Sequence, residues 1–296
     1  MNNINEIFKL KKERIKKYLK IGKVIVIETD KAKYAYKEKE IDREIINYLN
    51  TRNFNYYPKI IKNEKYLLTN YIEEVQIPKE QKMNDLIKLV ALMHSKTTFY
   101  KEINLDYYNS IYDNINNNLE YLYSYYTDKI ALCESKVFMS PSEYLLARNI
   151  SKIYESLDKN RERLEKWHRI VKNKNKERNT VIHNDLKLEH FIRNENSYLI
   201  SWDKAKINSP VFDLQKLYNN HFFDFDFSNI FKTYEKIYPL LDEEKILLKI
   251  LISIPGKPEN KQTEYDKTKE INNIIIKINK AEKIILPEAS KSWKHK

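Results

Sequence analysis

Glycine is almost absent from this chain, since only Gly22 and Gly256 occur among its 296 residues. Loops that wrap a phosphate with their backbone need several glycines close together, because a side chain would block the approach of the phosphate. The sequence therefore excludes a site that depends on a glycine-rich phosphate loop.

Cysteine is even scarcer. With Cys133 alone, the chain has no intramolecular disulfide framework and no metal site built from several cysteines.

Long apolar runs are also missing. No stretch of roughly 18 or more uncharged apolar residues occurs, so the sequence predicts no membrane span. The first twenty residues, "MNNINEIFKLKKERIKKYLK", place charges where a signal peptide would be apolar, and export by that route is not expected. We therefore expect a cytoplasmic protein. Cys133 has no histidine near it in sequence, which favours a packing or surface role over that of a nucleophile.

The balance of charge is positive, with 54 Lys and Arg residues against 42 Asp and Glu and a formal net charge of +12. This charge permits attraction to phosphates, to nucleic acid or to an acidic surface. The basic residues are spread along the whole chain rather than gathered in one patch. A nucleic-acid-binding module is therefore an alternative that rests on net charge alone, and we do not expect it. The hydrophobic fraction of 42% with 12% aromatic residues indicates a folded protein.

The first quarter of the chain mixes helix and strand patterns. Apolar residues at helical spacing predict an amphipathic helix over residues 3 to 20. Two runs rich in β-formers, Val24 to Ile27 and Lys33 to Lys37, predict a β-hairpin around "ETDKA". A helix in "IDREIINYLN" and strands around Ile60 and over 67 to 72 follow.

Helical patterns dominate after Pro78. The longest of them begins at Ser140, which is followed by Pro141 and then by a glutamate three residues after the serine, as in a capping box. Two short strands, "TVIHND" and "SYLISW", interrupt the helices before a helical C-terminal end. The order of elements predicts an α+β protein with a small β-rich domain over residues 1 to 77 and a larger, mostly helical domain over 78 to 296.

Two histidines and several carboxylates lie between those two strands. His183 and Asp185 belong to "HNDL", His190 follows, and the next apolar run ends in "SWD" with Asp203. Asp213 then begins a helix in "PVFDLQ". A carboxylate held in a loop can accept the proton of a substrate hydroxyl, and a second group nearby can bind a metal that neutralises phosphate charge. The spacing is therefore suited to phosphoryl transfer.

This pattern resembles the signature of the aminoglycoside phosphotransferase and choline kinase branch of the protein-kinase-like fold, in which H-x-D-L-x-x-x-N/H precedes I-D-W and P-x-x-D-L. Within that branch the chain looks most like bacterial spore coat proteins of the CotS type. The resemblance extends to "KYAYK", "YLLTNYIEE" and "LVALMHS", and covers about residues 20 to 220. It implies a two-lobed kinase-like fold, with ATP and Mg²⁺ as cofactors if the site is active; an inactive site is expected to need no cofactor. It also implies that Lys37 positions ATP, with Glu44 as its ion-pair partner.

The resemblance further implies that Asp185 is the catalytic-loop carboxylate, with His183 as its structural neighbour and Asp213 as an anchor from the following helix. His190 stands where the family usually has asparagine and is a candidate metal ligand. The departure is Ser201, which occupies the position of the aspartate that binds Mg²⁺. Because a neutral hydroxyl is a poor ligand for Mg²⁺, we expect weakened Mg-ATP binding and slow transfer.

Asp203 is the other candidate metal ligand. In an extended strand it would lie on the same side as Ser201 but roughly 6 to 7 Å further along. We therefore expect a kinase-like protein with an impaired ATP-dependent phosphotransferase site, which acts in the structure or assembly of the spore coat with other coat proteins as partners. The alternative is an active phosphotransferase that moves the ATP γ-phosphate to a hydroxyl of a small molecule or protein. Without the surrounding pattern, Asp185 would be a turn residue and Lys37 a solvated strand residue.

Overall fold

The computed structural model describes residue 8 and residues 11–286. The described residues form two compact units. One comprises those up to Thr98 together with Thr180–Asn208, and the other comprises Phe99–Asn179 and those from Ser209 to Leu286. A small β-sheet occupies the N-terminal region and helices dominate the C-terminal part. This confirms the expected α+β, kinase-like fold class. The domain boundary at residue 77 stays a prediction.

The first unit contains a five-stranded antiparallel sheet in the order β1-β2-β3-β5-β4. Its strands are β1 Ile15–Ile21, β2 Val24–Thr29, β3 Lys33–Lys37, β4 Ile60–Glu64 and β5 Tyr66–Asn70. One face buries an apolar cluster of Phe8, Ile27, Tyr34, Tyr36, Tyr66 and Leu68. Burial of this cluster is the main favourable contribution to sheet stability, because each large apolar side chain contributes about 1.5–3 kcal/mol when removed from water.

The helix predicted over residues 3 to 20 is wrong for residues 11 to 20, where a turn leads into the strand β1. Residues 15 to 20 are extended, while residues 1 to 7, 9 and 10 lie outside the described part of the chain. Three of the seven residues of β1 are lysines and six of its side chains are exposed, as is common in an edge strand. The spacing of the apolar residues fits a helix, but pairing with β2 provides hydrogen-bond partners for the backbone N–H and C=O groups of these residues. The segment is therefore a strand.

The hairpin predicted over residues 24 to 37 is confirmed as β2 and β3, but the structure has an earlier hairpin of β1 and β2. Its two-residue loop begins with Gly22 at φ +58°, the conformation that a type II′ turn requires at this position. The later turn has no glycine. There the Thr29 hydroxyl accepts hydrogen bonds from the backbone N–H groups of Lys31 and Ala32, at 3.2 and 3.0 Å.

The N-terminal segment of the first unit also contains two helices, α1 Arg43–Thr51 and α2 Lys79–Thr97. The Asp42 side chain caps α1 by accepting from the Glu44 N–H at 2.8 Å. Shorter elements follow residue 180. They are the end of strand β7 Lys176–Ile182, the hairpin of β8 Phe191–Arg193 and β9 Ser197–Leu199, the strand β10 Lys206–Asn208, and the 3₁₀ turns Leu188–His190 and Trp202–Lys204.

The second unit is mostly helical. Its helices are α3 Leu105–Glu134, α4 Pro141–Lys172, α5 Val211–His221, α6 Phe227–Ile237, α7 Asp242–Ser253 and α8 Glu264–Lys283, and β6 Phe99–Glu102 pairs with the first half of β7. The predicted capping box at α4 is confirmed, since the Ser140 hydroxyl accepts from the Glu143 N–H and the Glu143 carboxylate accepts from the Ser140 N–H. Within the described residues, no helix is both long and apolar enough to cross a membrane.

Candidate active site

The loop that carries Asp185 follows directly after β7 and is fixed by His183. The His183 side chain is fully buried, and its Nε2–H donates to the Ile200 carbonyl at 2.7 Å. Its ring packs edge-on against the buried indole of Trp202, with ring centroids 5.1 Å apart. The histidine therefore ties the loop to the segment that follows β9.

Two further contacts shape this loop. Asn184 adopts a left-handed conformation at φ +59°, which asparagine tolerates better than most residues. Its side-chain amide donates to the Lys204 carbonyl at 3.0 Å. The His190 Nδ1–H donates to the Asp185 carbonyl at 2.6 Å, so this imidazole closes the loop on itself. His190 thus holds the backbone of the residue whose carboxylate is expected to react.

The Asp185 carboxylate lies between two lysines. The Lys204 ammonium is 3.0 Å from Oδ2 and the Lys187 ammonium is 3.9 Å from Oδ1. Partial burial opposes ionisation, but the hydrogen bond and charge of Lys204 outweigh it and hold the pKa of Asp185 below its ordinary value. A carboxylate with a lowered pKa and an ammonium partner is a weak proton acceptor.

Ser201 stands at a sharp turn rather than in a strand. The strand β9 ends at Leu199, Ser201 adopts the left-handed conformation with φ +66° and ψ +48°, and a 3₁₀ turn begins at Trp202. The expected extended path from Ser201 to Asp203 is therefore wrong. The physical reason is the Trp202 side chain, which is buried, donates to the Leu199 carbonyl at 2.8 Å and contacts Phe54.

The Asp203 carboxylate is occupied by lysines as well. It forms an ion pair with Lys37, and the Lys39 ammonium is 3.6 Å from its other oxygen. Burial opposes ionisation of Asp203, but Lys37 and then Lys39 lower its pKa below the ordinary value. Lys37 and Asp203, two residues predicted for the site, are therefore brought together.

Glu44 and Asp213 are two further residues that the sequence predicts for the site. Glu44 is exposed in the first turn of α1, and among the ion pairs of the described chain none joins it to Lys37. Asp213 is fully buried in the first turn of α5, in the second unit. The roles assigned to these residues from the sequence stay predictions.

The side chains do not fit the oxygen-ligand set of a Mg²⁺ ion as they are arranged. Ser201 is neutral, and the carboxylates of Asp185 and Asp203 are each bound by ammonium groups. Over residues 8 and 11–286, no group of three or more His, Cys, Asp or Glu side chains could hold a metal ion. The proposed metal ligands His190 and Asp203 therefore belong to no such group.

A cavity of about 350 Å³ lies in the first unit, between the sheet and the segment from Glu189 to Trp202. Apolar side chains of both parts line it, among them Val26, Ala35, Leu67, Ile192 and Ile200. Lys37 and Ser201 contribute polar atoms, and the chain from Asn70 to Ile72 contributes a further edge. This volume falls within the range of ligand sites, roughly 300–1,000 Å³. A cavity of about 490 Å³ in the second unit contains none of these residues.

Lys39 and Lys204 are the residues that the sequence did not reveal. Single lysines carry no pattern in a chain with 54 basic residues. Their contacts arise from the turn at Ser201, which places Asp203 against Lys37 and Lys39 while its neighbour Lys204 contacts Asp185. Only the position of Lys204 directly after Asp203 could have drawn attention to it.

The sequence and the fold were compared with known proteins. A family model described as "Phosphotransferase enzyme family" matches residues 134–245. No curated protein matches the sequence. Among solved structures, an aminoglycoside phosphotransferase from Alicyclobacillus acidocaldarius is similar with a TM-score of 0.66 at 10% identity, with 90% of each chain covered.

Two further structures are similar over almost their whole length. An AMP-bound spectinomycin phosphotransferase has a TM-score of 0.56 at 13% identity, with 95% of this chain and 98% of that chain covered. A microcompartment-associated aminopropanol kinase has a TM-score of 0.53 at 9% identity, with 95% and 97% covered. The chain has the fold of these kinases. At such low identity the similarity establishes the fold and leaves activity to be argued from the site.

Proposed function

We propose that this chain is a kinase-like protein that keeps a nucleotide-sized cavity but has an impaired phosphotransfer site. The apolar walls of the cavity, the edge from Asn70 to Ile72 and the ammonium of Lys37 suit an adenine nucleotide. The structurally similar spectinomycin phosphotransferase has been solved with AMP and also with ADP and spectinomycin. These observations support nucleotide binding in the same fold.

The observation that carries the impaired state is the contact of Lys204 with Asp185, beside a serine at the metal position. A general base must be free to accept a proton from the acceptor hydroxyl, and here an ammonium occupies one oxygen of that carboxylate. Metal ions supply much of the charge stabilisation of phosphoryl transfer, and Ser201 provides no anionic ligand. Both requirements for rapid transfer are therefore weakened at once.

The test is transfer of labelled γ-phosphate from Mg-ATP to amino alcohols, aminoglycosides and a protein acceptor. We expect wild type to transfer no faster than Asp185→Asn. Glu195→Gln, an exposed carboxylate at the turn between β8 and β9, is the matched control for loss of one negative charge. Wild-type turnover that is retained in Glu195→Gln and abolished in Asp185→Asn would contradict impairment.

We propose further that the chain acts in the structure or assembly of the spore coat, with other coat proteins as partners. The motifs "HNDLKLEH", "LISWDKA" and "LVALMHS" support this, because they resemble those of coat proteins of the CotS type. A coat role predicts that the chain is recovered in extracts of detergent-washed spores. Recovery in the cell lysate alone would refute it.

The second candidate is an active phosphotransferase that uses Asp185 as base and transfers the ATP γ-phosphate to a hydroxyl of a small molecule or protein. The family model over residues 134–245 and the retained Asp185 and Lys37 favour it. This candidate requires that Lys204 leave Asp185 when an acceptor binds. The transfer assay above distinguishes it, because activity must depend on Asp185.

A further inference from the structure

Four lysines contact the carboxylates of Asp185 and Asp203, and one of them, Lys37, lines the cavity. Lys187 and Lys204 contact Asp185, while Lys37 and Lys39 contact Asp203. Among these six groups, four ammonium groups are thus in contact with two carboxylates. Glu74 and Glu189 also line the cavity, and Glu74 is paired with Lys82.

Each carboxylate therefore has ammonium groups beside it, where a bound Mg²⁺ would need its oxygens as ligands. A divalent cation requires anionic oxygens and is repelled by ammonium groups. Ser201 offers no charge, and both carboxylates already have ammonium partners. The same ammonium groups favour binding of a phosphate chain, because they attract its oxygens and donate hydrogen bonds to them.

We propose that this site takes a nucleoside polyphosphate without a divalent metal, with Lys204 and Lys39 supplying the positive charge that Mg²⁺ supplies in kinases. The proposal rests on the nucleotide site proposed above. Lys37 and Ser201 line the cavity itself, and Asp203 and Lys204 follow Ser201 within the same turn. The lysines can therefore exchange their carboxylate partners for phosphate oxygens when the ligand binds.

Binding of a fluorescent ATP analogue to the full chain, once in EDTA and once in excess Mg²⁺, tests the proposal. We expect affinity in EDTA to equal or exceed that in Mg²⁺, because Mg²⁺ neutralises phosphate charge that the lysines would bind. Tighter binding in Mg²⁺ than in EDTA overturns the proposal but leaves the nucleotide site in place. Failure to bind in either buffer overturns both.

Lys204→Met and Lys206→Met form the matched pair of variants. Both lysines are exposed and lie two residues apart, but only Lys204 contacts Asp185 among the ion pairs of the described residues. We expect Lys204→Met to weaken binding in EDTA about tenfold, the effect of one lost charged contact. Lys206→Met should bind like wild type. Equal affinities of the two variants overturn the role of Lys204.

The double variant Ser201→Asp with Lys204→Met should restore a metal preference. Aspartate tolerates the left-handed backbone at position 201, and removal of Lys204 frees the Asp185 carboxylate. We expect the double variant to bind the analogue more tightly in Mg²⁺ than in EDTA. If both the double variant and wild type bind equally in the two buffers, charge at these positions does not control metal dependence, and the proposal is refuted.

Discussion

The ion pair between Lys37 and Asp203 allows a sharp test of how this site is held together. The side chains are 18% and 14% exposed, so water screens their interaction only weakly. The two partners differ in their surroundings. Asp203 has a second cation, since the Lys39 ammonium is 3.6 Å from its other oxygen, while the structure pairs Lys37 with Asp203 alone among the described ion pairs.

This difference predicts unequal costs for the two single substitutions. Asp203→Asn leaves a largely buried ammonium without a carboxylate and should lower the free energy of unfolding by about 1.5–3 kcal/mol, the usual value for a charged hydrogen bond. Lys37→Met leaves Asp203 paired with Lys39 and should cost only about 1 kcal/mol. Glu44→Gln, at an exposed residue, should change stability by less than about 0.5 kcal/mol.

Urea unfolding of the single and double variants measures these energies and the coupling between them. We expect a coupling of about 1–2 kcal/mol for Lys37 with Asp203, and less than about 0.5 kcal/mol for Lys37 with Glu44. A larger coupling with Glu44 than with Asp203 would refute the arrangement described here. The coupling should be the same at pH 7 and pH 5.

The pH dependence follows from the lowered pKa of Asp203. A carboxylate whose pKa is lower in the folded than in the unfolded chain stabilises the fold fully above its ordinary value of 3.8. That contribution is lost as the pH falls through the folded-state pKa. The coupling with Lys37 should therefore decline only below about pH 4. A decline between pH 7 and pH 5 would show that another group is titrating.

Three further substitutions test the scaffold by urea or thermal unfolding. Arg178→Met should cost about 3–5 kcal/mol, because it leaves the Glu244 carboxylate buried without its cation; the exposed Arg161→Met is the matched control and should cost less than about 1 kcal/mol. Ser140→Ala should cost about 1 kcal/mol through loss of the α4 cap. Gly22→Ala should cost about 1–2 kcal/mol because φ is positive there, although the added methyl meets no neighbour.

Local sequence patterns were sufficient to predict most of the helices and the hairpin of β2 and β3. The cap at Ser140 was predictable because its hydrogen bonds join residues only three apart. The strand β1 was not predictable, because "IKKYLKI" gains its structure from pairing with β2 and its apolar residues suit a helix equally well. Interactions between residues close in sequence can be predicted from the sequence. The pairing of a strand depends on its partner strand, which a local pattern does not identify.

The residues of the candidate site likewise fall into those that the sequence predicted and those that it did not. Asp185, His183 and Lys37 could be picked out because a motif of fixed spacing surrounds each of them. The partner of Lys37 could not, since Asp203 is 166 residues away and reaches it only through the turn at Ser201. Lys204 was missed for the same reason. Its contact with Asp185 depends on the left-handed conformation of Ser201, and the apolar strand pattern of the sequence does not predict that conformation.

The turn at Ser201 determines which lysines contact the carboxylates of Asp185 and Asp203. A serine in an otherwise ordinary kinase site would remove one metal ligand and leave the other carboxylates ready to bind the ion. Here the same turn directs Asp203 to Lys37 and Lys39 and directs Lys204 to Asp185, so each carboxylate already has an ammonium partner. The single variant Ser201→Asp would leave those lysines in place. Restoring metal dependence therefore requires removal of a cation as well as addition of an anion, which is why the double variant, rather than Ser201→Asp alone, is the decisive one.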